Sequence, residues 1–287
     1  VKIEESPGRG RGVFATREMK LNEIILCEKA FCVVRGHEME ALTAITYDAR
    51  DDRIRLFPAG LCKSIIQKLL NNPSQVNKVI ELYGHYQGIG KQFVMEHSDP
   101  VIDIFQVHDI VARNAFGSGP AHFKGRSLVE GEDVSSASTG LWIMASYANH
   151  SCIPNAKIAY VGDLMVMCAT RPIGAGEEIT HSYDNSSDYD TRTAALMNTW
   201  GFRCTCALCI AENADGPSIR KKRQGLERDA NAFVDVTEAV GAKRLSIVKA
   251  RSLARLINDT YDYKRYQDVP RKALLRIQKW LGEATIR

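Results

Sequence analysis

The sequence predicts an α+β fold with a β-rich body, a helical insertion and a C-terminal helical region. Three observations carry this. Residues 23–27 and 30–34 are apolar and β-branched runs of strand length. Residues 61–70 place apolar side chains at helical spacing. Residues 219–239, 244–258 and 271–281 repeat that helical spacing near the end of the chain.

In chain order, Gly8-Arg-Gly-Arg-Gly-Val-Phe-Ala15 comes before the first strand. Its alternate glycines either let backbone approach a ligand closely or form a flexible turn. They lack the G-x-G-x-x-G spacing of a dinucleotide loop. Residues 40–112 change character: after 61–70, residues 74–83 and 101–112 show the helical spacing less cleanly. His85, His97 and His108 lie in this insertion without ligand spacing and read as structural or exposed. Asn114-Ala-Phe-Gly117 leads into a Gly/Ser-rich loop ending near Ser138. Tyr147-Ala-Asn-His-Ser-Cys-Ile-Pro-Asn155 follows, with an amide, an imidazole, a hydroxyl and a thiol in consecutive positions. Pro154 stops any helix there, since its ring removes a donor and fixes φ. Residues 156–159 and 164–169 read as a hairpin turning at Gly162-Asp163. Residues 171–179 turn into a short strand ending at Tyr183, and 191–198 form a short helix.

The chain has 287 residues, 45% hydrophobic and 25% charged, an ordinary globular composition with room for a sizeable core. No apolar run reaches membrane-spanning length and no signal peptide is visible. Residues 216–287 hold 17 Lys and Arg against 8 Asp and Glu, beside an acidic remainder. That asymmetry either solvates helix faces or draws an anionic partner to the C-terminal helices. Of the eight cysteines, Cys27, Cys32, Cys62 and Cys168 read as core packing. Cys204, Cys206 and Cys209 are too close together for good mutual disulfides and read as metal ligands. They are one short of a tetrahedral zinc site, and Cys152 is the expected fourth ligand.

Asn149-His-Ser-Cys-Ile-Pro-Asn155, Glu178-Ile-Thr-His-Ser-Tyr183 and Cys204-x-Cys206-x-x-Cys209 together resemble the two central motifs and the post-SET zinc motif of SET-domain protein methyltransferases. The long insertion is similar to the split SET arrangement of the SET-and-MYND proteins, without the cysteines and histidines of a MYND finger. On this resemblance, residues 1–34 and 113–185 are the two parts of the SET domain and 35–112 the insertion. Residues 186–210 are the post-SET zinc segment and 211–287 the C-terminal helices.

The resemblance implies S-adenosylmethionine and zinc as cofactors. It places Arg9, Gly10, Arg11, Gly12, Asn114, Asn149, His150, Tyr183 and Phe202 at the methyl donor, with Phe202 on the adenine. Tyr183 is the implied catalytic residue. Trp200 walls the lysine channel, where many relatives carry a second tyrosine. An indole N–H only donates, so this position cannot accept from a substrate ammonium. The implied activity is protein-lysine N-methylation of a histone or other protein, in the nucleus or cytoplasm. The alternative is a SET fold that binds a peptide or partner without turnover.

Overall fold

Strands β1 (Lys2–Ser6) and β2 (Gly10–Phe14) form an antiparallel hairpin at the start of the chain. The computed structural model describes residues 1–35, 44–48, 53–57, 59–86, 94–96, 99–118, 138–240 and 244–286. Gly8 and Gly10 take left-handed φ values of 73° and 74°, and Arg9 N donates to Ser6 O at 2.9 Å to close the turn. The opening glycines, read from the sequence as a loop, thus include a strand: Gly10 and Gly12 sit on β2.

β3 (Ile24–Lys29) and β4 (Cys32–Arg35) follow as expected. The insertion is not purely helical. It contains the hairpin β5 (Ala44–Asp48) and β6 (Arg53–Phe57), helices α1 (Ala59–Asn71) and α2 (Val76–Ile80), a second hairpin β7 (Val94–Glu96) and β8 (Asp99–Val101), and helix α3 (Ile104–Asn114). Asp103 caps α3, its carboxylate accepting from Phe105 N at 2.9 Å and Gln106 N at 3.2 Å. Leu61, Ile65 and Leu69 are the apolar stripe of α1, buried with Val79, Ile110 and Val111. Each such burial is worth about 1.5–3 kcal/mol before conformational entropy is charged against it.

β9 (Phe116–Ser118) and β10 (Ser138–Leu141) pair with β4 in the order β4-β10-β9. The Gly/Ser-rich stretch at 119–137 and His97 lie outside the described residues. β11 (Asn149–His150), β12 (Ala156–Val161), β13 (Leu164–Ala169) and β14 (Glu178–His181) complete the strands named here. β12 and β13 turn at Gly162, whose φ is 62°, as the sequence predicts. Their sheet, β12-β13-β3, ends on β3, where the register shifts between Met167 and Cys168. Cys27 lies exposed on this edge strand, which corrects its reading as a core residue. Cys62 is buried, while Cys32 and Cys168 are only half-buried.

The remaining sheet runs β1-β2-β14-β11, with β14 antiparallel to β2 and parallel to β11. Val13, Ile179, Met165, Met167 and Trp142 share the core of this part of the molecule.

The chain divides into two compact units. One is Val1–His150 with Pro154–His181; the other is Ser151–Ile153 with Ser182–Arg287. The second unit is helical: α4 (Tyr189–Trp200), α5 (Ala207–Ala214), α6 (Gly216–Val240), α7 (Arg244–Asn258) and α8 (Leu275–Ile286). Asp188 caps α4 by accepting from Thr191 N at 2.8 Å, and Gly201 ends it with a φ of 74°. These caps lengthen the helix beyond the 191–198 read from spacing alone. Leu208, Val234, Ala250, Ile257, Ile277 and Trp280 build its core. Asp215 is buried among Arg223, Arg265 and the Tyr266 hydroxyl, so its charge is compensated. Among the described residues no helix is long and apolar enough to cross a membrane.

Candidate active site and cysteine cluster

In the first unit, β14 lies between β2 and β11, so its first residue can reach β11 on one side and the turn leading into β2 on the other. Glu178 does so. Asn149 Nδ2 donates to Glu178 Oε1 at 2.7 Å and to Arg11 O at 3.2 Å. Arg9 pairs with Glu178 Oε2. A Cβ on Gly12 would collide with Glu178 Oε1 and stand 3.1 Å from Asn149 Nδ2. A side chain at 12 would therefore push the Glu178 carboxylate out of this arrangement, whereas Gly10 is favoured by its positive φ and faces open space. With both amide hydrogens of Asn149 engaged, its Oδ1 is the amide atom left to accept from a ligand.

Other expected donor-site residues are placed differently. Arg11 donates to Glu81 O at 2.5 Å and stands 4.8 Å from the centre of the Tyr147 ring. Asn114 is buried at the end of α3, where its Nδ2 donates to Tyr83 O at 2.7 Å and Ile110 O at 2.8 Å. These two carbonyls take both of its amide hydrogens and tie the end of α3 to residue 83. His150 is buried on β11, opposite His181. Asn155, 2% exposed, ties the segment after the loop to β14: Nδ2 donates to Glu178 O at 2.8 Å, and Oδ1 accepts from Thr180 N at 2.8 Å.

In the second unit, Tyr183, Trp200 and Phe202 come together. The Tyr183 ring lies 4.8 Å from Trp200 and 6.3 Å from Phe202, the latter edge-on at 82°. Tyr183 falls just beyond β14 rather than inside it. Helix α4 delivers Trp200, and the left-handed Gly201 turns the chain so that Phe202 can return to the same tyrosine.

The same unit holds the cysteine cluster. Cys206 is the N-cap residue of α5 and Cys209 lies in its first turn; this helix was not read from the sequence. The four Sγ atoms of Cys152, Cys204, Cys206 and Cys209 all lie within 4.8 Å of one another, and Cys152 Sγ is 3.4 Å from Cys209 Sγ. A tetrahedral zinc with sulfur ligands at 2.3 Å needs edges of about 3.8 Å, so the four thiols fit the ion. The hydrogen bond from Cys152 pulls the Cys206 thiol down to about 6, while the neighbouring thiols push Cys152 and Cys209 up.

Arg192 and Glu212 also belong to this cluster, and the sequence carried no signal for them. Arg192 Nε donates to Cys152 Sγ at 3.1 Å, and its guanidinium pairs with Glu212. Burial pushes the Glu212 carboxyl up, and the Arg192 charge opposes that shift. Glu178 was visible as part of a motif, but its function as the residue joining Arg9 to Asn149 was not.

Comparison with known proteins adds independent observations. The SET domain family matches residues 10–184. A protein of Gibberella zeae named methyltransferase is 30% identical over 90% of this chain and 38% of its own length. A SET domain-containing protein of Acanthamoeba polyphaga mimivirus is 26% identical over 71% of this chain and 75% of its own. Protein-lysine N-trimethyltransferase SMYD5 of Gallus gallus is 31% identical over 38% of this chain and 28% of its own. The chain therefore spans less than two fifths of the first of these relatives and about three quarters of the second.

Proposed function

The chain belongs to the SET domain family, and on that premise we propose that it is an S-adenosylmethionine-dependent protein-lysine N-methyltransferase with one structural zinc. The observation that carries the reading is the convergence of Arg9, Gly12 and Asn149 on Glu178. Three motifs far apart in sequence meet there. The relative named protein-lysine N-trimethyltransferase supports the same reaction class.

S-adenosylmethionine supplies an electrophilic methyl group on a sulfonium. Asn149 holds the polar end of this donor through its free amide oxygen, and the backbone of β11 adds His150. Arg9 is half-exposed, so a ligand carboxylate can draw it from Glu178. Phe202 offers a ring face for the adenine. The substrate lysine must lose a proton before it attacks. At its ordinary pKa that costs about 4 kcal/mol near neutral pH. An apolar channel lowers this cost by disfavouring the ammonium. Trp200 supplies such a wall, while the Tyr183 hydroxyl orients the amine. Held in line with the donor's methyl group by these residues, the neutral amine would be placed to accept it, and such positioning supplies much of the rate.

Cys152, Cys204, Cys206 and Cys209 would hold zinc and fix the start of α5. Thiols used as metal ligands suit a reducing intracellular compartment.

The test uses labelled donor with a protein extract as substrate. Tyr183→Phe should abolish or strongly reduce label transfer while donor binding by calorimetry stays near wild type. Undiminished turnover removes Tyr183 from the mechanism. A wild-type chain that binds the donor but never transfers label would favour the second reading, a binding module, to which Trp200 in place of a second tyrosine points.

A further inference from the structure

We propose that Arg192 is a positioning residue of the metal centre, holding two of the four zinc-binding sulfurs through N–H···S hydrogen bonds and offsetting their charge. The inference rests on the zinc reading above and deepens it.

Arg192 is 0% exposed, which is exceptional for an arginine. A guanidinium has five N–H donors in a fixed fork, and five acceptors surround this one. Nε faces Cys152 Sγ at 3.1 Å. Nη1 faces Ser186 O at 3.0 Å and Ser187 O at 3.1 Å. Nη2 faces Glu212 and, at 3.9 Å, Cys209 Sγ. The two sulfurs come from the 151–153 loop and from α5, which are distant in sequence. One rigid plane on α4 therefore sets the spacing of Cys152 and Cys209.

The charges favour the same assignment. Four thiolates around a dication leave an excess of about two negative charges in a buried place. An uncompensated buried charge is costly. Arg192 supplies a cation at hydrogen-bond distance from the sulfurs, and Glu212 takes back part of that charge. Groups that hydrogen-bond metal ligands change metal affinity by about 10–100-fold when removed. Donation to sulfur also lowers the electron density that a thiolate offers to an electrophile.

The experiment compares purified wild type with Arg192→Met, Arg192→Lys and Glu212→Gln. Zinc per chain is measured first, then zinc affinity by competition with a chromogenic chelator. The rate of zinc release under N-ethylmaleimide and the melting temperature complete the set. Arg192→Met should weaken zinc binding by about tenfold or more and speed zinc release by a similar factor. Arg192→Lys keeps the charge but cannot span both sulfurs, so it should fall between; it also serves if the methionine variant fails to fold. Glu212→Gln should melt earlier, yet bind zinc as tightly as wild type or more tightly, because the guanidinium is freed for the sulfurs.

If zinc affinity simply follows melting temperature across all variants, Arg192 is a structural residue and the proposal fails. It fails equally if Arg192→Lys matches wild type in both affinity and release rate. A wild-type chain without zinc overturns the metal reading itself, which is a different result.

Discussion

One arginine–glutamate pair from each unit makes a comparison, and the two differ in exposure. Arg9 pairs with Glu178 with 46% of the arginine side chain exposed, whereas Arg192 pairs with Glu212 at 0% and 3%. A solvated pair is worth about 0–1 kcal/mol and can exchange partners. A buried pair loses about 3–5 kcal/mol when one member is removed, because the other charge is stranded. The first arrangement suits a site that must release its own contact to admit a ligand. The second suits one that must not open.

The sharpest way to break this comparison is to remove the proposed zinc. Stripping zinc with a chelator should lower the melting temperature of the helical unit more than any single substitution, since structural zinc contributes folding free energy directly. A thermal melt unchanged by chelation of a zinc-containing chain would remove the cluster from any structural role. Next in size is Glu212→Leu, which removes the carboxylate partner of Arg192 while the sulfurs and the Ser186 and Ser187 carbonyls remain, and should cost about 1.5–3 kcal/mol in denaturant unfolding. A cost below about 1 kcal/mol would mean that the buried pair behaves like the exposed one.

Gly12→Ala should cost about 1–3 kcal/mol, because its Cβ meets Glu178 Oε1 and crowds Asn149. Donor affinity by calorimetry should fall with it; retention of full affinity would show that the Glu178–Asn149 geometry is not needed for binding. Smallest in stability is Arg9→Ala, within about 1 kcal/mol of wild type. Its effect should appear in donor affinity instead. A stability loss comparable to that of Glu212→Leu would erase the distinction between the two pairs.

Legibility in the sequence followed the range of the interaction concerned. Helix α1 and the β12–β13 hairpin were readable because their periodicity and turn residues are local. The four thiols that cluster were readable too: three cysteines have ligand spacing, and the fourth stands in a conspicuous motif. Helix α5 was hidden because its eight residues are too few for a helical period to stand out. The strand at Gly10 and Gly12 was hidden because glycine carries little strand preference, and pairing with β1 and β14 decides the matter. The partners of the Asn114 amide hydrogens, Tyr83 O and Ile110 O, were hidden as well, because one of them is 31 residues away.

By itself, then, the sequence determined the class of the fold and marked the four thiols that the structure gathers. Each is recorded in local spacing or in the chemistry of residue types. Only the tertiary structure decided that Glu178 joins Arg9 to Asn149, and that Arg192 and Glu212 lie buried beside the sulfurs. A charged side chain stays in water unless distant elements bring it enough partners to replace that water. No single stretch of chain records those partners.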